Sequence, residues 1–183
     1  TAFYMPVVMS AVVVGIIWTN LLDSAGLVNS VLKALKIISK PIPFLTDRWG
    51  VLFSSMFVTI WLGLGYYMVI NLTALANIDE SLYEAASLDG AGPVRQFIYV
   101  TMPGVRSTMM LIMMLSTIAA FRVFNEIYVL TNGSAGPGGM DMTMSMLIKR
   151  EGTGIQARTG YASAISIVVL VIVGVMLIVQ QIL

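Results

Sequence analysis

Arg122, Asn125 and Glu126 stand at i, i+3 and i+4 inside the apolar run "AAFRVFNEIYVL", a spacing that gathers all three on one face of a helix. Polar groups in so oily a run are costly in a bilayer and turn toward a bundle interior or a water-filled cavity. A guanidinium and a carboxylate four residues apart can neutralise one another, which leaves Asn125 to donate and accept hydrogen bonds to a ligand. The same pair would serve as well for a structural ion pair near the outer interface, because it lies close to the end of the run. Earlier in the chain, Trp61 is followed by Gly63, Gly65, Tyr66, Tyr67 and Asn71. Aromatic rings stack on the CH face of a sugar while amide and hydroxyl groups bind its hydroxyls. Glycines loosen a helix or admit a ligand to its backbone. Helix packing or an aromatic belt at the membrane surface would use Trp61, Tyr66 and Tyr67 equally. Trp18, near the end of another apolar run, fits the belt.

The chemistry that is missing narrows the field. The chain holds neither His nor Cys, so it has no thiolate metal site, no cysteine nucleophile and no base for a serine triad. Asp23, Asp47, Asp79, Asp89 and Asp141 all fall between the apolar runs, which removes the paired aspartates of an intramembrane protease. No GxxxxGK[ST] is present, and "GSAGPGGMD" lacks the phosphate-contacting lysine. The chain is therefore expected to be non-catalytic and to hold no cofactor. Its fourteen methionines suit adaptable packing and not metal binding. A net charge of +1 points to no nucleic-acid partner.

Helices in a membrane must position these residues. Hydrophobic residues make up 58% of the chain and charged ones 10%, where a soluble domain carries about a quarter charged residues. Four runs reach the roughly 20 residues that a spanning helix needs: Phe3 to Leu22 with Pro6 in its first turn, Val51 to Leu75, Met109 to Leu130, and Tyr161 to Leu183. The expected fold is an all-α, polytopic transmembrane helix bundle in which residues 1–183 form a single domain. In the first connector, Leu27, Val31, Leu35 and Ile38 share one side at helical spacing and Lys33, Lys36 and Lys40 another. That pattern predicts a helix in the interface plane, ended by Pro41 and Pro43. The third connector opens on "TNGSAGPGGMD", which is turn chemistry. Gly160 and Ala164 suit close helix packing. The chain starts at Thr1 with no charged leader and ends at Leu183 with no polar tail; no signal peptide is expected, and a longer parent chain is.

The second connector, about residues 76–108, is the longest part that does not read as membrane. Asp79, Glu80 and Glu84 suit a helix N-terminus, and Leu82, Ala85, Ala86 and Leu88 form its apolar stripe. Asp89 and Gly90 end that helix, Pro93 opens a second one over "PVRQFIYVTM", and Pro103 is expected to break the chain again. Lys and Arg counts place seven charges on the first and third connectors against two on the middle one. The positive-inside rule would therefore put the middle connector outside.

Glu84, Ala85 and Ala86, three residues, Gly90, nine residues, then "VTMP" ending at Pro103 resemble the EAA loop of ABC importer permeases. Val and Met replace the Ile and Leu of that motif. "FYMPVVMSAVVVGIIW", "WLGLGYYM", "IYVLTNG" and "GYASAIS" are similar, in matching order, to segments of the maltose-type sugar permeases. The resemblance implies a six-helix type I importer core, of which four spans are present. It implies a bacterial or archaeal plasma (inner) membrane protein working by alternating access. It places the EAA loop in the cytoplasm against the charge count, docked on a pair of ATP-binding subunits through Glu84, Ala85, Ala86, Asp89, Gly90 and Pro103. Those subunits would bind the ATP and Mg. A second homologous permease subunit and an extracytoplasmic sugar-binding protein complete the implied assembly. The resemblance implies a sugar site near mid-membrane. The residues whose chemistry suits it are Trp61, Gly65, Tyr66, Tyr67, Asn71, Arg122, Asn125 and Glu126, which do not match the family's polar positions residue for residue; an Arg122 offset by Glu126 favours a neutral carbohydrate. A related permease for a non-sugar solute such as glycerol phosphate or an amino acid, and a channel or scaffold, are the alternatives.

Overall fold

In a computed structural model that describes residues 2–155 and 157–182, every regular element is helical and no strand occurs among the described residues. A 3-10 stretch, Ala2–Val8, leads into α1 (Ala11–Leu22); α2 (Leu27–Ala34) and α3 (Arg48–Ala76) follow. Next come α4 (Glu80–Leu88), α5 (Pro93–Gln96), a π-turn (Phe97–Thr101), α6 (Met102–Phe121) and α7 (Asn125–Leu130). The chain ends with α8 (Met144–Gly152) and α9 (Thr159–Ile182). Four helical stretches are long and apolar enough to cross a membrane: Ala11–Ala34, Arg48–Ala76, Pro93–Leu130 and Thr159–Ile182. Their apolar side chains turn outward, as Leu170 at 71% exposure and Ile178 at 60% do on α9. A water-soluble domain would hide such a surface; facing lipid, it carries no such penalty.

The interior is small and joins α1, α3 and α7. Val14, Val58 and Leu130 are fully buried, with Trp18, Trp61 and Leu62 packed around them. A Cβ on Gly15 would lie 2.8 Å from Val129, so only glycine permits that approach of α1 to α7. Trp18 meets Phe57 and Trp61 edge-to-face at 5.2 and 5.5 Å. It is thus a packing residue and not part of a surface belt.

Asn29 is a second fixed point. It is 1% exposed, and its amide donates to the carbonyls of Asp23 and Ile42 while its Oδ1 accepts from the Ile42 N–H at 2.8 Å. One side chain thereby ties both ends of the first connector together. Asn29→Ala would leave three part-buried backbone groups of Asp23 and Ile42 to water or to no partner. A loss of about 1–3 kcal/mol is expected, read as a lowered unfolding midpoint in detergent.

Several boundaries differ from the sequence expectation. The first apolar run is not one helix, because the 3-10 stretch and α1 are separated at Met9 and Ser10. α2 stops at Ala34, well before Pro41, because Lys36 adopts φ +56° and closes the helix. Pro103 does not break the chain. The Met102 N–H reaches back to the Phe97 carbonyl, and this wide turn absorbs the missing donor and the ring. The helical path therefore runs on from Pro93 to Phe121. The third span does break, at Arg122–Phe124, where the sequence pattern predicted continuity. The stretch "TNGSAGPGGMD" is turns, as its composition predicts, and α8, which the sequence pattern did not announce, follows it within the third connector. Gly160 and Ala164 are exposed; buried Ala162 makes the small-residue contact instead, its Cβ 3.3 Å from where a Cβ on Gly152 would stand.

Candidate functional site

The break between α6 and α7 opens a cavity of about 700 Å3. Non-helical backbone at membrane depth is tolerated where it lines a water-accessible space, and this break lines an open cavity. Thr59, Gly63, Tyr66 and Tyr67 come from α3, Ser116, Ala119 and Ala120 from the end of α6, and Arg122, Phe124, Asn125 and Glu126 from the break and the start of α7. α3 is 29 residues long, about 43 Å, and the lining residues stand near its middle. The site sits roughly halfway through the bundle.

Of the residues expected to meet substrate, Tyr66, Tyr67, Arg122, Asn125 and Glu126 are brought together on this one cavity. Trp61, Gly65 and Asn71 are not. Trp61 packs on the core beside Trp18, Gly65 is buried, and the Asn71 amide donates to the Tyr67 carbonyl at 3.0 Å. The helical period turns residues 61 and 65 away from the face of 59, 63, 66 and 67, whereas Asn71 shares a face with Ile60, Leu64 and Tyr67 and lies a turn beyond the cavity. Gly63, noted beside Gly65 in the sequence, is the glycine that lines the cavity, whereas Thr59 and Ser116 were missed. The spacing 59, 63, 66 was the available signal, a polar or small residue at i, i+4 and i+7.

The expected internal pairing of Arg122 with Glu126 does not form. Arg122 ends α6 and Phe124 has φ −143° and ψ −60°, so the two residues do not share a helix. Among the described residues the ion pairs are those of Glu151 with Arg150 and Arg158. The cavity therefore presents a guanidinium and a carboxylate separately, with the Asn125 amide and two tyrosine rings 5.3 Å apart. Such a set offers donors, acceptors and apolar faces to one polyhydroxylated ligand.

One wall of the cavity is tied to the outer elements. Phe124 stacks on Tyr128 at 5.0 Å, and the Lys149 ammonium lies 4.0 Å from the Tyr128 ring and 4.9 Å from that of Phe124. These cation–π contacts pin α8 to α7. In the loop between them, partial burial raises the Asp141 carboxyl above its usual range, with Arg48 opposing. A Cβ on Gly136 would overlap that carboxylate.

At the far end of α3, α4 and α5 project as a knob. Asp79 caps α4 by accepting from the Ser81 N–H at 3.0 Å, and this bond holds its carboxyl below the ordinary range. Gly90 has φ +73°, and the Ala91 N–H closes the helix on the Ala86 carbonyl at 2.9 Å, the bonding of a Schellman end. Gln96 braces the turn by donating to Ser87 Oγ and the Ala91 carbonyl at 2.8 and 3.1 Å. Tyr83 and Thr101 join α4 to the π-turn through hydroxyls 2.9 Å apart. Glu84, Ala85, Asp89 and Gly90 are exposed, as is Pro103, whereas Ala86 is half-buried. Leu88, which the sequence offered only as part of an apolar stripe, is 89% exposed at the tip.

Residues 1–183 match the family model described as binding-protein-dependent transport system inner membrane component. The chain is 32% identical over 176 residues to the lactose transport system permease protein LacF of Rhizobium radiobacter, covering 96% of this chain and 59% of that one. It is 35% identical over 124 residues to the trehalose/maltose transport system permease protein MalF of Thermococcus litoralis, covering 68% and 41%. The chain thus spans less than two thirds of the length of these relatives. Its fold resembles that of a solved bacterial ABC transporter involved in the import of the acidic polysaccharide alginate, with a TM-score of 0.75 over 97% of this chain and 61% of that one, at 22% identity.

Proposed function

We propose, for a chain that belongs to the binding-protein-dependent transport system inner membrane components, a role as permease subunit of an ATP-driven importer of neutral carbohydrate. One observation carries this reading: a cavity halfway along α3, lined by Tyr66, Arg122, Asn125 and Glu126, stands in the same helical body as a protruding, hydrogen-bonded knob. α3 joins the two directly. The knob docks on a pair of ATP-binding subunits, which hold ATP and Mg, and their closure moves it. That movement passes through α3 and α6 and exposes the cavity first to one side of the membrane and then to the other. A second homologous permease subunit covers part of the exposed apolar surface, and an extracytoplasmic binding protein delivers the sugar. The knob then faces the cytoplasm, where ATP is, whatever the lysine count of this partial chain suggests.

A specific observation favours a second reading. Arg122 has no carboxylate partner among the described residues, so an anionic solute, glycerol phosphate among them, would find an uncompensated guanidinium. The deciding measurement is ATPase activity of the reconstituted transporter with binding protein present. A panel of mono- and disaccharides is set against anionic solutes. Stimulation by neutral sugars is expected. Stimulation by anionic solutes alone supports the second reading, and none at all points to a channel or scaffold.

A further inference from the structure

The segment between α1 and α3 presents a face that neither the cavity nor the knob uses. On α2, Asn29 is buried and Val28 and Leu32 are half-buried against the protein. Leu27, Val31 and Leu35 recur at helical spacing on another side, 62%, 46% and 65% exposed, and Ile37 beyond them is 65% exposed. Lys33, Lys36 and Lys40 are all exposed. No Asp or Glu occurs between Asp23 and Asp47, and none of the three lysines is ion-paired among the described residues.

Lys36 adds an independent observation. Its φ of +56° places it at the left-handed position that closes α2, with the Ile37 N–H on the Leu32 carbonyl at 3.0 Å and its own N–H on the Lys33 carbonyl at 2.9 Å. Glycine takes that position freely, whereas an L side chain is disfavoured there by roughly tenfold. The helix C-terminus accounts for a cation at Lys33. It does not account for a lysine where glycine would fold better, nor for Lys40 beyond the helix.

Location supplies the partner. α2 starts four residues after α1 ends, across Asp23 to Gly26, and the loop after it leads into α3. α2 is the last part of the candidate span Ala11–Ala34, set off from α1 by the turn at Asp23–Gly26, and α3 is the next span. The exposed lysines from Lys33 onward thus stand at the end of a span, at the bilayer boundary, and the three Asn29 hydrogen bonds fix the rotation of α2. An acidic soluble protein could meet the lysines but would leave the adjoining apolar row in water. A bilayer satisfies both. We propose that residues 27–40 form an anionic-phospholipid site in the leaflet opposite the knob. Leu27, Val31, Leu35 and Ile37 enter the edge of the acyl layer, and Lys33, Lys36 and Lys40 bind lipid phosphates. This needs only membrane insertion and does not depend on the identity of the transported solute.

The test titrates the purified full-length protein, with whatever subunits co-purify, with fluorescent phosphatidylglycerol and phosphatidylcholine in detergent. Each surface lysine near an anionic leaflet is worth about fivefold, so wild type is expected to prefer phosphatidylglycerol by at least about tenfold at low salt and to lose the preference as salt rises. The triple variant Lys33→Gln, Lys36→Gly, Lys40→Gln is expected to bind the two lipids within about twofold of each other. Lys36→Gly alone separates function from folding. It should weaken the preference while leaving the unfolding midpoint unchanged or higher, because glycine relieves the turn. An undiminished preference in the triple variant overturns the proposal, as does a wild type that does not discriminate. Unchanged lipid selectivity with lost affinity for a soluble binding protein would assign the lysines to that protein instead.

Discussion

Gly90→Trp is expected to abolish coupled uptake while leaving the protein folded, inserted and associated with the ATP-binding subunits proposed for it. Gly90 sits at φ +73°, and a Cβ built there meets nothing within 4 Å. A side chain is therefore not excluded by this chain. Its conformational cost is about 1 kcal/mol, too little to unfold α4, whose end stays closed by the Ala91 N–H. What a bulky side chain would disturb lies outside the chain, on the surface where the knob is proposed to dock. ATP hydrolysis should then persist while uptake falls at least tenfold, about 1.4 kcal/mol of lost coupling. Gly90→Asn is the control, because Asn tolerates the left-handed conformation and adds little bulk; it should retain most uptake. Uptake assayed in vesicles alongside ATPase and co-purification separates these cases. Undiminished uptake by G90W would show that the knob is not the lever.

The knob was legible because its determinants are local. Acidic residues at the start of α4, glycine at its end and Pro93 at the next first turn each act within a few residues. The four apolar runs were legible for a similar reason, since a membrane reads composition over about 20 residues. The failures share the opposite cause. Nothing in "AAFRVFNE" announces a break, as it holds neither Gly nor Pro. Val123 and Phe124 leave the helix to pack around Ile127, Ala135 and Met146, the last two of which lie beyond α7. Pro103 announced a break that the π-turn cancels one residue earlier. Trp61 resembled a ligand residue until Trp18, far away in sequence, was found beside it. α8 had a usable signal in Thr143, whose hydroxyl caps the helix by accepting from the Met146 N–H at 3.3 Å, just past the turns that "TNGSAGPGGMD" predicts.

Within the cavity, substitutions should divide by what each polar group already bonds. The Asn71 amide is engaged by the Tyr67 carbonyl and does not line the cavity, so Asn71→Ala should leave the substrate concentration for half-maximal uptake within about twofold of wild type. Arg122 and Asn125 line it, and neither side chain has a hydrogen-bonding partner within the described part of the chain. A substrate hydroxyl bound by a charged donor contributes about 1.5–3 kcal/mol. Arg122→Met, which keeps the apolar stem and removes the guanidinium, is thus expected to raise the half-saturating concentration by roughly 10- to 100-fold. Asn125→Ala should act in the same direction by about tenfold. Glu126→Gln distinguishes the two kinds of cargo. For a neutral sugar, losing the carboxylate removes an acceptor and weakens uptake, whereas for an anion it removes a repulsive charge and strengthens uptake. Transport kinetics of these four variants, each checked for normal insertion, would therefore test the cavity and its charge logic together. Equal loss in Asn71→Ala and Arg122→Met would mean that the cavity at the α6–α7 break is not where substrate binds.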